Sequence, residues 1–248
     1  MSLAVIIPAF DEACGIPATL RALAAQHDRD FHLVVVDNAS TDGTAAVVRD
    51  TAAALGLQLE IVDEPERGTG AAADTGMRHA IARGATLLAR TDADCLPAPD
   101  WTARIRAAHA DGLDLIAGRL RPRTDEGVPA WKRAVLVGAV GVATAFGTVR
   151  PGNRDPAHLG PYVMTPGCNM AISAALYVRA GGFPRTRIQD LHEDRALVNA
   201  VRRLTTRYGR RSDVVVFGSS RRVRAWGLVR TLAWYADHRY WPEHVDIR

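Results

Sequence analysis

Lysine is almost missing from this 248-residue sequence: Lys132 is the sole example, so nearly all of the positive charge is arginine. Either a genome rich in G and C or a use for rigid guanidinium forks gives that bias. Cysteine is also scarce. Cys14, Cys95 and Cys168 form no C-x-x-C pair and no disulfide framework, which fits three ordinary thiols in a reducing compartment. No linker rich in Pro, Ser and Gly divides the chain, and no internal repeat is visible. The charge-free apolar stretch 134–149 holds 16 residues, several of them Gly or Thr, whereas a spanning helix needs about 20. It is therefore expected to be buried or to lie against a surface. The start at Met1 runs into a strand-like segment without the basic-then-apolar layout of a secretory leader. A cytoplasmic protein is expected, with attachment at the inner face of the membrane as the alternative.

Hydrophobic residues at 48% and charged residues at 23% are ordinary for a globular protein, and the length suits one large α/β domain. The formal charge is +4, with arginine concentrated late in the chain at Arg202, Arg203, Arg207, Arg210, Arg211, Arg221, Arg222, Arg224 and Arg230. Such a cluster serves either an anionic partner (a nucleotide pyrophosphate or a phospholipid surface) or a solvated basic face. Nucleic acid is not expected, because no recognition motif accompanies the arginines.

The first hundred residues alternate strand-like and helix-like stretches. Strands are expected at 3–8, 33–36, 59–62 and 86–89, and helices at 16–26, 44–55 and 71–83. This βαβ repetition predicts a mostly parallel sheet with helices on both faces. A helix capped by Pro99 or Asp100 runs to His109, and 113–118 reads as a strand. Later come a short strand at 170–172, helices at 173–180 and from after 189 to 204, and a strand at 214–217. An aromatic, basic helix over 224–240 closes the chain, and residues 118–133 and 147–161 read as acceptor-side loops. One domain over 1–223 with a helical extension at 224–248 is the expected organisation.

Ligands of such sheets lie beyond the carboxyl ends of the strands. Pro8, Asp37, Asp63 and Asp92 each stand at such an end. Thr91-Asp92-Ala93-Asp94 follows an apolar run, so a turn can bring two carboxylates to one centre. Hard divalent ions such as Mn²⁺ or Mg²⁺ take oxygen ligands of this kind and complete their shell with phosphate and water. Asp37 can accept from a nucleobase N–H edge or a ribose hydroxyl; capping the next helix is its structural alternative. The small-residue loop from Arg67 to Gly76 enters a helix and lets backbone approach a ligand, but it lacks the Lys-Ser/Thr ending of a P-loop.

Taken together, these pieces resemble the inverting glycosyltransferase family 2. The matching segments are Ile6-Ile7-Pro8-Ala9-Phe10-Asp11-Glu12, Val36-Asp37-Asn38-Ala39-Ser40-Thr41-Asp42-Gly43-Thr44, the loop from Arg67 to Gly76, and Thr91-Asp92-Ala93-Asp94. Pro166-Gly167-Cys168-Asn169-Met170-Ala171-Ile172, Gly181-Gly182-Phe183-Pro184 and Glu193-Asp194 follow in the family's order. The resemblance implies a GT-A fold, with a Rossmann-like nucleotide-binding half and an acceptor-binding half. It implies a donor site of Pro8, Phe10, Glu12, Asp37, Arg67, Asp92, Ala93, Asp94 and Arg221. Metal falls to Asp94 and Asp92, the catalytic base to Asp194, and an orienting or acceptor contact to Glu193. Ala73-Asp74 stands where many members carry Arg-Asn, so the donor-contacting arginine must come from elsewhere, Arg67 or a later residue.

In an inverting transfer a carboxylate takes the acceptor proton while a cation stabilises the departing diphosphate. The donor expected is a nucleoside diphosphate sugar, UDP- or GDP-linked before TDP-linked. The acceptor classes are carbohydrate, polyprenyl phosphate, another lipid or a small molecule. The sequence lacks the Gln-x-x-Arg-Trp motif of processive synthases, so single-sugar transfer is expected. Trp226, Trp234, Tyr235, Tyr240 and Trp241 among arginines suit peripheral membrane contact, packing over the acceptor cleft, or a homodimer interface. Trp131 reads either as a platform for a ring or as a core residue, and His192 as an acceptor contact or a structural histidine. The competing functions are a sugar-phosphate nucleotidyltransferase and a non-catalytic nucleotide-sugar-binding protein.

Overall fold

The structure, a computed structural model, describes residues 1–149, 155–185 and 193–237. Its first half is βαβ: β1 (Leu3–Ala9), α1 (Ile16–Ala24), β2 (Phe31–Asp37), α2 (Thr44–Leu55), β3 (Leu59–Asp63), α3 (Thr69–Ala82) and β4 (Leu87–Thr91). The second half adds β5 (Leu96–Pro97), α4 (Trp101–Ala110), β6 (Leu115–Pro122), α5 (Ala130–Val149), β7 (Asn169–Ser173) and α6 (Ala174–Arg179). It closes with α7 (Glu193–Arg202), β8 (Tyr208–Gly218) and α8 (Arg221–Asp237).

The strands form one sheet in the order β3-β2-β1-β4-β7-β6-β8-β5. β1 to β4 are mutually parallel where they pair, and β6 pairs β8 in parallel, while β7 runs antiparallel between β4 and β6. All seven residues of β1 are buried, as expected of a central strand covered on both faces. Its side chains alternate between two cores. Leu3, Val5 and Ile7 pack with Leu20 of α1 and Trp101 of α4; Ala4 and Ile6 pack with Met77 of α3 and Leu197 of α7. In register, Ala9 pairs Asp37 and Asp37 pairs Asp63, so the carboxyl ends of β1, β2 and β3 share one rim. Pro8 is tolerated inside β1 because its neighbour β4 pairs only as far as Ile6, opposite Arg90.

The elements fall close to those read from the sequence, with physical reasons where they differ. Residues 118–122 complete β6 and α5 starts at Ala130, so of the loop read at 118–133 only 123–129 lies outside these elements. The β6–β8 ladder carries polar, alternately exposed residues, which hide its length from a hydrophobic scan: β8 runs over 11 residues rather than four. Trp131 is 61% exposed, so it is not a core residue. α8 begins before residue 224 and is kinked at Gly227. His192, Tyr240 and Trp241 lie outside the described residues. No helix among the described residues is long and apolar enough to cross a membrane.

One side chain pins β7 to β6, β8 and α4. Asn169, at the start of β7, accepts from the Trp101 indole N–H at 2.9 Å. Its amide donates to the Arg119 and Val214 carbonyls, each at 3.0 Å. Gly118 permits the approach, since a Cβ there would sit 2.4 Å from the Asn169 amide. An Asn169→Ala substitution leaves a buried indole N–H and two carbonyls without this partner. Chemical denaturation should show a loss of about 2–4 kcal/mol; a loss within experimental error would remove Asn169 from this role.

Candidate active site

The rim at the ends of β1, β2 and β4 is laced by loops that hold two residues in the left-handed region. Asp11 (φ 50°) and Ala39 (φ 60°) are non-glycine residues in this state, each a strain on the order of 1 kcal/mol. The Asp11 amide donates to Ser40 Oγ at 3.1 Å, and the Asp11 carboxylate accepts from the Thr41 amide at 2.6 Å. Asp37 Oδ1 accepts from the Ser40 amide at 3.1 Å. Buried Asn38 holds the next loop, donating to the Glu64 and Glu66 carbonyls and accepting from the Gly68 amide. These bonds fix the loops of the rim beside which the charged residues stand.

Arg90, the penultimate residue of β4, is only 2% exposed and lies on the α3 and α7 side of the sheet. Its guanidinium reaches Asp92 Oδ1 at 3.3 Å and Glu193 Oε1 at 3.4 Å. It also stacks 5.3 Å from the Phe183 ring centroid. Burial disfavours this cation, yet Asp92, Glu193 and Asp194 more than offset the penalty and keep it charged. Two segments about a hundred residues apart in sequence thereby meet on one buried charge. Gly70 lets α3 close on the same point: a Cβ there would lie 2.3 Å from the Pro184 carbonyl oxygen and 3.3 Å from Glu193 Cβ. Asp194, half-buried in the first turn of α7, accepts from the Arg195 amide at 2.6 Å.

A second cation faces the other carboxylates. Arg221, at the start of α8, bridges Glu12, at 3.0 Å to Oε2, and Asp94, at 3.1 Å to Oδ2. Burial lifts the Glu12 carboxyl above its ordinary range against the pull of Arg221, and Asp94 and Asp92 push the same way as burial. Burial also raises Asp92, and Asp94 and Glu193 add to it against the attraction of Arg90. Thr91 Oγ1, between the two charged side chains of the β4 end, is buried and has no hydrogen-bond partner among the described residues.

The structure therefore brings Glu12, Asp92, Ala93, Asp94, Glu193, Asp194 and Arg221 to one end of the sheet. Phe10 and Arg67 stand at its edge, with the Arg67 guanidinium 4.9 Å from the Phe10 ring centroid. Pro8 is buried in β1, so its contribution is to the strand end rather than to an exposed surface. Asp74 has a different place from that left open by sequence. It is buried and accepts from Tyr177 OH and Arg78 Nε, both at 2.8 Å, and so braces α3 internally. Sequence reading missed Arg90, whose signal was a lone charge at an inward position of an apolar strand.

Four carboxylates, Glu12, Asp92, Asp94 and Glu193, thus meet the two guanidiniums of Arg90 and Arg221. No group of three or more His, Cys, Asp and Glu side chains among the described residues converges as a metal cage. The donor set nonetheless fits a hard divalent ion bound with phosphate, which asks the protein for only one or two carboxylates. The excess negative charge points the same way.

Comparison with known proteins identifies the family. Residues 4–166 match the Glycosyl transferase family 2 profile. The chain belongs to glycosyl transferase family 2. Glycosyltransferase AglE of Haloferax volcanii is 31% identical over 121 residues, covering 48% of this chain and 39% of that protein. The polyprenol monophosphomannose synthase of Mycolicibacterium smegmatis is 31% identical over 134 residues, covering 53% and 50%. Among solved structures, the mannosyltransferase PcManGT from Pyrobaculum calidifontis, in complex with GDP-Man and Mn²⁺, superposes with a TM-score of 0.63. It is 27% identical, over 97% of this chain and 65% of that one. The chain thus matches only 39% and 50% of the length of these two curated relatives. The family match ends before Glu193, so α7 and Arg221 join the site on geometry alone. The sheet, mostly parallel and flanked by helices, is the GT-A architecture of the structural relative.

The raised Asp92 has a consequence for stability. Its folded-state carboxyl binds a proton more tightly than its ordinary value of 3.8, so the folded chain holds more protons than the unfolded one just above that pH. Stability conferred by neutral Asp92 is therefore present at acid pH and lost as pH rises through the folded value. The difference in melting temperature between wild type and Asp92→Asn should therefore move in favour of the wild type as pH falls from about 7.5 toward 4. A difference that stays constant over that range would contradict this balance.

Proposed function

We propose that this chain is an inverting, non-processive glycosyltransferase. It moves one sugar from a nucleoside diphosphate sugar, UDP- or GDP-linked, to an acceptor hydroxyl with the help of Mn²⁺ or Mg²⁺. The observation that carries the reading is Arg90, which draws the Asp92 strand end and the Glu193–Asp194 helix start to one centre. Membership of the family and the GDP-Man and Mn²⁺ held by PcManGT support the donor and metal assignments.

In this reading the rim of β1 and β2 takes the nucleoside, with Asp37 as acceptor for its N–H or hydroxyl groups. Phe10 and Arg67 flank it. Asp94 and Asp92 would hold the divalent ion, which when bound would neutralise the diphosphate and stabilise it as a leaving group. Arg221, paired to Asp94 and Glu12, stands beside that carboxylate to meet diphosphate oxygens. Asp194 takes the proton from the acceptor hydroxyl as that oxygen attacks the anomeric carbon from the face opposite the diphosphate. The bond to the diphosphate breaks as the new glycosidic bond forms. Asp194 stands in the first turn of α7, at the positive end of the helix, and Arg90 orients the Glu193–Asp194 pair. Asp74, engaged with Tyr177 and Arg78, gives no support to a binding protein that has lost catalysis.

Two variants test the division of labour. Thermal stabilisation by UDP or GDP should increase with Mn²⁺ in the wild type and be lost in Asp94→Ala. Asp194→Asn should keep that response while transfer to acceptor falls by about 10²–10⁴-fold, the usual weight of a general base. Equal loss of nucleotide binding in Asp194→Asn would remove it from the base role, and absence of any nucleotide response in the wild type would sink the donor site.

A further inference from the structure

Residues 218–220, 222 and 223 form part of the wall of a pocket of about 460 Å³ between β6, β8, α5 and α8. That volume falls in the range of small-molecule sites, roughly 300–1,000 Å³. Leu120, Leu136, Val137 and Val223 make its walls largely apolar. Arg119, Arg121 and Arg210 also line it. Most guanidiniums near the sheet are paired, among them Arg90, Arg106, Arg123, Arg211 and Arg221. By contrast, these three have no ion pair and no side-chain hydrogen bond among the described residues. An apolar cavity ringed by uncompensated cations is complementary to a molecule with a hydrocarbon chain and an anionic head.

The surroundings of the pocket point to where such a molecule comes from. On α5, Val142 is 71% exposed and Val137 43%, and on α8 Val229 is 80% exposed. Both helices that border the pocket thus present aliphatic side chains outward, with Lys132, Arg133 and Arg230 close by in sequence. Aliphatic and basic groups on the same helices suit contact with an anionic lipid surface. Ser219 and Ser220 line the pocket, and the next residue, Arg221, holds Glu12 and Asp94. The pocket and the acidic centre therefore share one short stretch of backbone.

We propose that this pocket holds the acceptor: a lipid whose phosphodiester faces Arg119, Arg121 and Arg210 and whose head group carries the hydroxyl that is glycosylated. This rests on the transferase reading above and deepens it by naming the acceptor class. The chain of the lipid occupies the apolar walls, and the phosphodiester supplies the anion the arginines lack. The head group then extends over residues 219–221 toward the centre.

Isothermal titration calorimetry of the full chain with lysophosphatidylglycerol, below its micelle concentration, tests the proposal. Lysophosphatidylcholine (same chain, zwitterionic head) and glycerol phosphate (head alone) serve as comparisons. One equivalent of lysophosphatidylglycerol should bind, with both comparisons at least tenfold weaker. The double variant Arg119→Ala/Arg210→Ala should weaken it at least tenfold, and Val137→Trp should fill the pocket and abolish binding. Equal binding of the zwitterionic lipid, or unchanged binding in both variants, would overturn the proposal. Stabilisation by nucleotide and Mn²⁺ is measured on the same proteins: its retention in the variants shows them folded. Its absence from the wild type would count against the donor site while leaving the lipid result to stand on its own.

Discussion

A guanidinium sealed from water at the end of a central strand is the constraint around which this molecule is arranged. Removing such a charge from water is worth several kcal/mol against folding unless carboxylates surround it. Arg90 obtains them from its own strand end and from α7, an element that follows it by about a hundred residues. The helix is held there by Leu197, Val198 and Val201 in the core it shares with β1, β4 and α3. Packing and charge therefore specify the same placement, and the carboxylates proposed for metal and base are brought to one cleft as a result.

The negative charge gathered this way exceeds what Arg90 and Arg221 supply, and burial lifts Glu12 and Asp92 from their ordinary range. Such a centre is less stable alone than with a cation, which is the expected trade between stability and function. Arg221 belongs to a helix that borders the pocket, so the proposed donor and acceptor sites adjoin at residues 219–222.

Much of the fold was legible because its signals are local. The apolar runs of β1, β2 and β4, the helix from Thr44 and the turn after Thr91 can be read from periodicity alone. The strand-end acids were legible for the same reason, since parallel strands direct their carboxyl ends to one rim. What stayed hidden depends on contacts distant in sequence. β7 enters the sheet antiparallel between β4 and β6 through Asn169, whose three bonds go to elements scattered across the chain. Arg90 looked like an ordinary charge until Glu193 was seen beside it. Arg221 pairs with Glu12 across 209 residues of sequence and also with Asp94, so this bridge was invisible. The length of β8 was hidden by its polar, alternately exposed residues.

The central claim is that a divalent ion and a diphosphate meet on the Asp92–Asp94 strand end, facing Asp194 across Arg90. A crystal structure with a nucleoside diphosphate and Mn²⁺, read by the anomalous scattering of manganese, tests it most directly. The account predicts a manganese peak against the Asp94 carboxylate, Arg221 withdrawn from Asp94, and Asp194 opening into the same cleft as the diphosphate. Manganese bound elsewhere, with the Arg221–Asp94 pair intact and Asp194 turned to the outer surface, would contradict it.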